Sequence, residues 1–318
     1  MAALICGSMA YDTIMIFPGY FKQHILPEQI HILSVSFLVP EMRRELGGCA
    51  GNIAYTLKML GSEPLIMATV GQDFGPYAEF LDRQQIRRDY IQEQEGFTAQ
   101  CFITTDLDDN QITAFHPGAM NGSHLNMVNV VREPIDIAIV SPDGKAGMQQ
   151  HCQQLAAAKI PFIFDPGQGL PMFNGEELKA MLALASYVTV NDYEAEMLCT
   201  STGLSLLEIA AQVQALIVTL GAQGAKIYTD GVCHQIPAVA ASEILDPTGC
   251  GDAFRAGLLH GLSRGWDWPQ IGRLASLLGS LKVAQRGGQN HHFTERELAE
   301  KYQAAFAELL PDLVCEAQ

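Results

Sequence analysis

The feature that most constrains this chain is a repeated alternation of short apolar runs with longer amphipathic stretches. Short runs rich in Ile, Val, Leu and Phe are typical of strands that are buried on both faces, and the longer stretches are typical of the helices that cover such strands. Strands are predicted at residues 3–6, 65–70, 135–140, 162–165, 187–190, 216–219 and 225–229. Helices are predicted at residues 50–60, 76–83, 146–158, 175–185, 205–214 and 252–264. The alternation therefore predicts an α/β fold with a mostly parallel central sheet, whose ligands bind beyond the carboxyl ends of the strands.

Two stretches interrupt this alternation. Residues 13–44 mix apolar and polar side chains without a helical period, and residues 98–116 have the pattern of a β-hairpin with a polar turn at 106–110. Together they predict a small β lid over the main sheet, although they could also be surface excursions with no gating role. Because the chain shows no internal repeat, low-complexity tract or linker, a single α/β domain over residues 1–318 with a lid is favoured over two equal domains.

The charge of the chain limits its partners. Its 318 residues include 19 basic and 35 acidic side chains, which give a net charge of −16. Such a surface repels phosphate backbones and anionic membranes, so neither nucleic acid nor a membrane is an expected partner.

The chain shows neither a targeting segment nor paired cysteines, which favours a location in the cytoplasm. No uninterrupted apolar run reaches the about 18 residues of a membrane span, and the first residues lack the basic and apolar regions of a signal peptide. The eight cysteines contain no C-x-x-C pair. We therefore expect a cytoplasmic protein with reduced and mostly buried thiols.

The stretch that carries the most chemical information is D-P-T-G-C-G-D-A-F-R-A-G at residues 246–257. It leads from the end of a predicted strand into a helix, and Gly249 and Gly251 permit a tight turn whose backbone N–H groups converge beside the positive end of the helix dipole. That arrangement suits the charge of a transferred phosphoryl group. Asp252, in the first helical turn, is placed to accept a proton from an attacking hydroxyl. A role of Asp252 as a helix cap alone is the alternative, which the full twelve-residue pattern disfavours.

Two other phosphate-binding patterns are missing. The chain has no G-x-x-x-x-G-K-[ST] loop, and no G-x-G-x-x-G follows the first predicted strand. A dinucleotide-dependent oxidoreductase is therefore disfavoured, and phosphate chemistry has to use the glycine turn before Asp252.

The two glycine-rich segments carry a family resemblance. T-G-C-G-D at residues 248–252 resembles the C-terminal signature of the ribokinase-like (PfkB) carbohydrate and nucleoside kinases, and G-G-C-A-G-N at residues 47–52 resembles their N-terminal signature. Both occur in the family's order, so the resemblance covers essentially the whole chain. Shorter matches to bacterial adenosine kinases lie at residues 7–12, 17–19, 26–27, 36–39, 117–120 and 191–194.

This resemblance implies a ribokinase-like fold and a specific reaction. Adenosine would be phosphorylated by ATP and Mg²⁺ at its ribose 5′-hydroxyl to give AMP and ADP, with a monovalent cation such as K⁺ as a further candidate cofactor. A ribokinase-like sugar kinase or a broader nucleoside kinase is the alternative within this class. A non-catalytic sugar or nucleoside sensor is the alternative from another class, although the base and the glycines of the turn are all present.

The resemblance also implies which residues bind the nucleoside. Asp12 and Asn52 would hydrogen-bond the ribose hydroxyls, which suits an acceptor carboxylate and an amide that both donates and accepts. An aromatic side chain of the lid would stack on the base, or would only pack within the lid. Gln168 would pair with the adenine edge. The candidate substrate-binding residues are Ser8, Asp12, Ser36, Phe37, Gly48, Asn52, Phe102, Phe115 and Gln168.

The catalytic and nucleotide-side residues follow from the same resemblance. The anion hole would consist of Gly249, Cys250 and Gly251, with Asp252 as the base. Cys250 stands where the family usually has alanine, and a small side chain preserves the turn. The candidate cofactor-binding residues are Asn191, Thr219, Gly221, Gly224 and Thr248.

Some of these nucleotide-side patterns have simpler interpretations. Glu194 would hold Mg²⁺ through ordered water, although Asn191-x-x-Glu194 also fits a solvated helix start. The pattern T-x-G-x-x-G at residues 219–224 fits an ordinary turn as well. His291 and His292 are interpreted as exposed loop residues rather than as a metal site.

The lid also predicts an oligomeric state. A small open sheet leaves unpaired strand edges, which need cover. Pairing with the lid of a second copy would provide that cover, so we expect a homodimer through the lid.

Overall fold

A computed structural model describes residues 2–25, 34–108 and 110–311 of the chain. Within these ranges, nine strands form one sheet in the order β13-β12-β11-β10-β9-β8-β1-β4-β5, and four form a second sheet in the order β3-β2-β6-β7. The strands are β1 (Ala2–Cys6), β2 (Ala10–Ile16), β3 (Glu41–Gly47), β4 (Glu63–Val70), β5 (Ile91–Glu93), β6 (Ala99–Thr105), β7 (Gln111–His116), β8 (Ile137–Val140), β9 (Phe162–Phe164), β10 (Tyr187–Asn191), β11 (Ala215–Thr219), β12 (Ala225–Thr229) and β13 (Val232–Ile236).

The helices alternate with these strands along the chain. They are α1 (Cys49–Met59), α2 (Gly75–Arg83), α3 (Lys145–Ala157), α4 (Gly175–Leu182), α5 (Asp192–Thr202), α6 (Leu206–Ala210), α7 (Cys250–Ser263), α8 (Trp268–Val283) and α9 (Glu295–Phe306). Every strand predicted from the apolar runs is present. Each predicted helix is also present, but the one predicted at residues 205–214 ends early, at Ala210.

The large sheet is parallel from β11 to β5, and only β12 and β13 run antiparallel to their neighbours. Successive residues of a strand face opposite sides of a sheet, and this separates the core into two layers. In β1, Ile5 packs with Tyr55 of α1 and Leu258 of α7 on one side. On the other side, Leu4 packs with Leu155 of α3 and Leu198 of α5. The predicted mostly parallel sheet with helices on both faces is thus confirmed.

The predicted lid is the second, four-stranded sheet. Its strands β2, β3, β6 and β7 are mixed, with β2 parallel to β6 and the other two pairs antiparallel. They begin and end a few residues outside the predicted segment 13–44, because β2 starts at Ala10 and β3 continues to Gly47. Residues 26–33 of that segment, with the Leu26-Pro27 motif, lie outside the described ranges.

None of the described helices is long and apolar enough to cross a membrane.

Candidate active site

The glycine turn at the start of α7 has the geometry of an anion hole. Gly249 is the N-cap residue with a φ of +78°, a left-handed conformation that favours glycine. The Cys250 N–H donates to the Pro247 carbonyl at 3.1 Å, which closes the turn. The free N–H groups of the first helical turn and the positive end of the helix dipole therefore point toward one region of space. Burial raises the pKa of the Cys250 thiol to about 11, so a reactive thiolate finds no support there.

Asp252 lies in the first turn of the same helix and is partly buried. Its Oδ2 accepts a hydrogen bond of 2.8 Å from Nδ2 of Asn52. Burial raises the pKa of the Asp252 carboxyl, and the nearby Asp165 carboxylate adds to this rise. The Arg255 guanidinium and the hydrogen bond from Asn52 oppose it, because both favour the charged form. A carboxylate with a raised pKa is a better proton acceptor, as a general base requires.

Asp12 brings the lid to this site. Burial together with the carboxylates of Asp252, Asp246 and Glu45 raises the pKa of Asp12 to about 6. The Asp12 carboxylate also lies against the end of β3, where a Cβ at Gly47 would be 2.3 Å from its Oδ2, so this lid residue lies close to the acidic side chains of the core. The sequence-predicted residues Asp12, Asn52 and Asp252 are thus brought together from three elements.

The N-terminal signature positions α1 against this pocket. Gly48 is the N-cap residue with a φ of +86°, and a Cβ there would lie 2.5 Å from the Ser8 carbonyl oxygen. Ser8 is itself buried, and its carbonyl and hydroxyl oxygens accept hydrogen bonds from Ala50 N–H at 3.0 Å and Cys49 N–H at 3.2 Å. Ser8 and Gly48 therefore hold the first turn of α1, from which Asn52 reaches Asp252.

A buried chain of hydrogen bonds extends from Asn52 toward the lid. The carboxylate of Asp252 can only accept, so the Asn52 amide turns its N–H₂ group to Asp252 and its oxygen to the Gln289 N–H₂ group, at 3.0 Å. The same Gln289 nitrogen donates to the Tyr77 hydroxyl, which donates to the Gly47 carbonyl at 2.9 Å. The chain therefore fixes the amide orientation of Asn52, and it ends where lid strand β3 ends. Gln289 and Tyr77 were not predicted as site residues from the sequence.

A buried ion pair lies beside the anion hole. Arg255 donates through Nη2 to Oδ1 of Asp165 at 2.6 Å and through Nε to the other oxygen. A Cβ at Gly251 would lie 2.7 Å from Nη1 of this arginine, so glycine allows the guanidinium to approach the turn. Asp165 follows β9, so the ion pair fastens α7 to the carboxyl end of that strand. Gln168, three residues later, is exposed within the 3₁₀ segment Gly167–Met172.

The lid register distributes the predicted aromatic residues over two faces. Directly opposed residues on neighbouring strands share a face. Asp12 is opposite Cys101, and Cys101 is opposite Phe115, so Phe115 lies on the face of Asp12. Phe102 is opposite Thr13 and lies on the other face.

The remaining lid candidates lie in the segment between β2 and β3. The Phe37 ring packs 4.8 Å from the ring centroid of Phe17 and 4.9 Å from that of Phe21. Ser36, beside it, is exposed.

Asn191 and Glu194 form a reciprocal cap at the start of α5. The Asn191 side chain accepts from the Glu194 N–H at 2.7 Å, and Oε2 of Glu194 accepts from the Asn191 N–H at 2.8 Å. Asn174 and Glu177 form the same cap on α4, so the pattern alone does not identify a site. What distinguishes Glu194 is its place at the carboxyl end of β10, near Arg255 and Asp165, where burial raises its pKa.

The other nucleotide-side candidates lie in two turns. Thr219 ends β11, and Gly221 and Gly224 follow in a turn with φ values of +55° and +89°. The exposed Thr248 donates its N–H to Oδ1 of Asp246 at 2.9 Å.

The expectation for His291 is wrong. Only His292 is exposed, whereas His291 is buried, with its Nε2 3.0 Å from the Thr56 hydroxyl. This contact could not be predicted from the sequence, because Thr56 lies on α1, 235 positions away along the chain. No cluster of three metal-ligating side chains occurs in the described residues, and none of the seven described cysteines forms a disulfide.

These features are those of a class of protein, the α/β phosphotransferases, with a glycine turn and the partly buried carboxylate of Asp252 at one helix start. Residues 9–295 match the family model of the pfkB family carbohydrate kinases. The chain belongs to this family, and the expectation of a kinase is confirmed.

Individual relatives are similar over nearly the full length. The chain is 52% identical to the Burkholderia thailandensis nucleoside kinase solved in complex with inosine, with a TM-score of 0.89 over 96% of this chain and 99% of that one. The same kinase solved with ADP and inosine gives a TM-score of 0.86 at 53% identity, over 96% of this chain and 97% of that one. A nucleoside kinase of Methanocaldococcus jannaschii is 32% identical over 84% of this chain and 89% of its own length.

Proposed function

We propose that this protein is a nucleoside kinase that transfers the γ-phosphoryl group of ATP to the ribose 5′-hydroxyl of adenosine. The observation that carries the proposal is the meeting of Asp12, from the lid, with Asp252 and Asn52, from the core, in one pocket beside the anion hole. The similarity to a kinase solved with inosine and ADP supports a nucleoside acceptor and ATP as the donor. It also favours a second candidate, a broader specificity that includes inosine.

The roles of the residues follow from their contacts. Asp252 takes the proton of the 5′-hydroxyl while that oxygen bonds to the γ-phosphorus and the bond to the β-phosphate oxygen breaks. The N–H groups of Gly249 and Gly251 stabilise the charge on the transferred group, and the Cys250 N–H holds the turn closed through the Pro247 carbonyl. Asn52 uses one N–H for Asp252, which leaves its second N–H for a ribose hydroxyl. Asp12 accepts from the ribose diol.

The base pocket is proposed at the lid. Phe115 lies on the face of Asp12 and is 52% exposed, which leaves its ring free to stack on a purine. Phe102 remains a candidate that would have to act from the other face of the lid. Phe37 also remains a candidate, although its ring packs against Phe17 and Phe21. Gln168 follows β9 and remains the candidate for the purine edge.

Magnesium is proposed on the nucleotide side. Glu194 uses Oε2 for its helix cap, and its Oε1 takes no hydrogen bond from the described residues, so this oxygen fits a metal-bound water. Bound Mg²⁺ would neutralise phosphate charge. Asn191, Thr219, Gly221, Gly224 and Thr248 are proposed to line the nucleotide.

The lid is also proposed to form a homodimer. Its face opposite Asp12 presents exposed apolar side chains at Met42, Phe102 and Ile112, which the register places together. A second lid would cover this face.

The test is an assay of ADP formation from MgATP with adenosine, inosine, ribose and fructose in parallel. We expect turnover of the nucleosides and a loss of about 10²–10⁴-fold in kcat for Asp252→Asn, because the general base is removed. The exposed Asp89→Asn is the matched control and should retain activity. Turnover of ribose or fructose alone would contradict the nucleoside pocket, and full activity of Asp252→Asn would contradict the base.

A further inference from the structure

Lys282 occupies an unusual place behind the anion hole. It lies in the last turn of α8 and has a solvent exposure of 0%. Lysine is almost never fully buried unless it is paired, because removing an ammonium group from water costs several kcal/mol. Its Nζ donates to the carbonyl oxygens of Asp246 at 2.9 Å and Gln285 at 3.0 Å. The ammonium group is thus bound by backbone oxygens.

These two carbonyls belong to the loops that build the anion hole. Asp246 opens the segment that leads to Gly249, and its carboxylate accepts the N–H groups of Thr248 and Gly287, each at 2.9 Å. The segment is also fastened to the end of α8 through Val283, whose carbonyl accepts from the Asp246 N–H at 3.1 Å. Lys282 therefore joins the two loops on either side of this carboxylate, directly behind the phosphate-binding turn.

A monovalent cation does not fit this arrangement. To support the anion hole from behind, K⁺ would need several oxygen ligands from the loops that flank it. Two of the carbonyls that face that space already accept from Lys282, and K⁺ there would lie against the ammonium group. Two positive charges cannot share such a buried position without a strong repulsion. The candidate cofactor K⁺ is therefore not supported by these residues.

We infer that Lys282 is a positioning residue that supplies, within the chain, the charge and the loop contacts that a bound monovalent cation would supply, so that catalysis does not depend on K⁺. The inference deepens the proposed phosphoryl transfer and rests on it. Burial lowers the pKa of Lys282, whereas the Asp246 and Asp252 carboxylates favour its charged form.

The first measurement uses the unaltered protein. Initial rates are compared in the chlorides of K⁺, NH₄⁺, Na⁺ and choline at equal ionic strength, and we expect kcat to agree within about twofold. A saturable activation by K⁺ of tenfold or more would overturn the inference, because it would show a separate cation site.

The second measurement uses Lys282→Ala, which leaves a space with free carbonyls. In choline we expect its kcat to be at least about 30-fold below that of the unaltered protein, while KM for the nucleoside changes little. When K⁺ or NH₄⁺ replaces choline, kcat of the variant should rise at least about tenfold. Lys282→Met, which fills the space without a charge, should lose activity without this rescue. Lys301→Ala, on the exposed surface of α9, is the control. Full activity of Lys282→Ala in choline would overturn the inference.

A third readout needs no substrate and so separates this inference from the proposed function. The melting temperature of ligand-free Lys282→Ala should rise by several degrees when K⁺ or NH₄⁺ replaces choline, and that of the unaltered protein should not. An equal response of the two proteins would overturn the inference. If Lys282→Ala fails to fold, the salt series on the unaltered protein and on Lys282→Met decides.

Discussion

At the scale of single residues, the protonation of Asp12 is expected to limit nucleoside binding in acid. Its pKa is raised to about 6 by burial and by Asp252, Asp246 and Glu45. Below that pH the carboxylate takes a proton and loses the acceptor that the ribose diol needs. KM for the nucleoside should therefore rise as pH falls through about 6 and stay flat above it.

Initial rates between pH 5 and pH 8 test this expectation. Because the pKa of Asp252 is also raised, its protonation should appear in kcat, while that of Asp12 appears in KM. Asp12→Asn should have a high KM that no longer varies with pH. A KM of the unaltered enzyme that is constant across this range would contradict the role of Asp12.

Gln289 is expected to matter for catalysis although it need not touch the substrate. Gln289→Leu removes the donor that fixes the Asn52 amide and leaves buried polar groups unpaired, which costs about 1–3 kcal/mol. We expect kcat to fall about 10- to 100-fold, with a smaller change in KM for ATP. Tyr77→Phe keeps the Gln289–Asn52 bond but loses the hydroxyl that accepts from Gln289 and donates to the Gly47 carbonyl, so its kcat should fall less than that of Gln289→Leu. Equal kcat values for Gln289→Leu and the unaltered enzyme would contradict the proposed chain of contacts.

Site residues could be predicted from the sequence where they lie in a recognisable local segment. They could not be predicted where their role depends on contacts between distant parts of the chain. Asp252 and Asn52 were predicted because they lie in glycine-rich signature segments, and Asp12 was predicted because residues 7–12 resemble the family. Gln289 is 237 positions from Asn52 and Lys282 is 36 from Asp246, so their roles come from contacts that only the fold creates. A glutamine or a lysine in a helix or loop is ordinarily a surface residue.

At the scale of elements, the Arg255–Asp165 pair is expected to hold α7 on the sheet. Removing one partner leaves a buried charge unpaired, which costs about 3–5 kcal/mol. Asp165→Leu and Arg255→Met should therefore each destabilise the protein strongly, and the double variant less than the sum. Urea unfolding of all four proteins measures this coupling, and strictly additive effects would contradict it.

The helices show which secondary-structure elements could be predicted from the sequence. Strand-like or amphipathic runs predicted most of the elements that build the two cores, but not helices α5 and α8. Helix α8 was missed although Asp267 and Gln270 form a capping box before it, with Pro269 in its first turn. Helix α6 ends early, at Ala210, and only Ile209 of its residues is buried, whereas Leu206 and Ala210 are partly buried against the core.

At the scale of the whole molecule, the outer face of the lid is expected to hold two copies together. Met42 is 69% exposed and Ile112 is 42% exposed on that face. Met42→Glu combined with Ile112→Glu should convert a dimer into a monomer in sedimentation velocity. Val232→Glu, on edge strand β13 of the large sheet, is the control, since Val232 is also 53% exposed. A monomeric unaltered protein, or a double variant that stays dimeric, would contradict the proposed interface.

The crowded carboxylates of the pocket have a practical consequence for handling the protein. The pKa of Asp12 is raised by folding from an ordinary value of 3.8 to about 6, and that of Asp252 is raised as well. Their contribution to stability is therefore fully present below the unfolded value and is lost as pH rises through the folded value. The contribution of these two carboxylates therefore makes the purified enzyme without ligands more stable during storage in a mildly acidic buffer than in a neutral one.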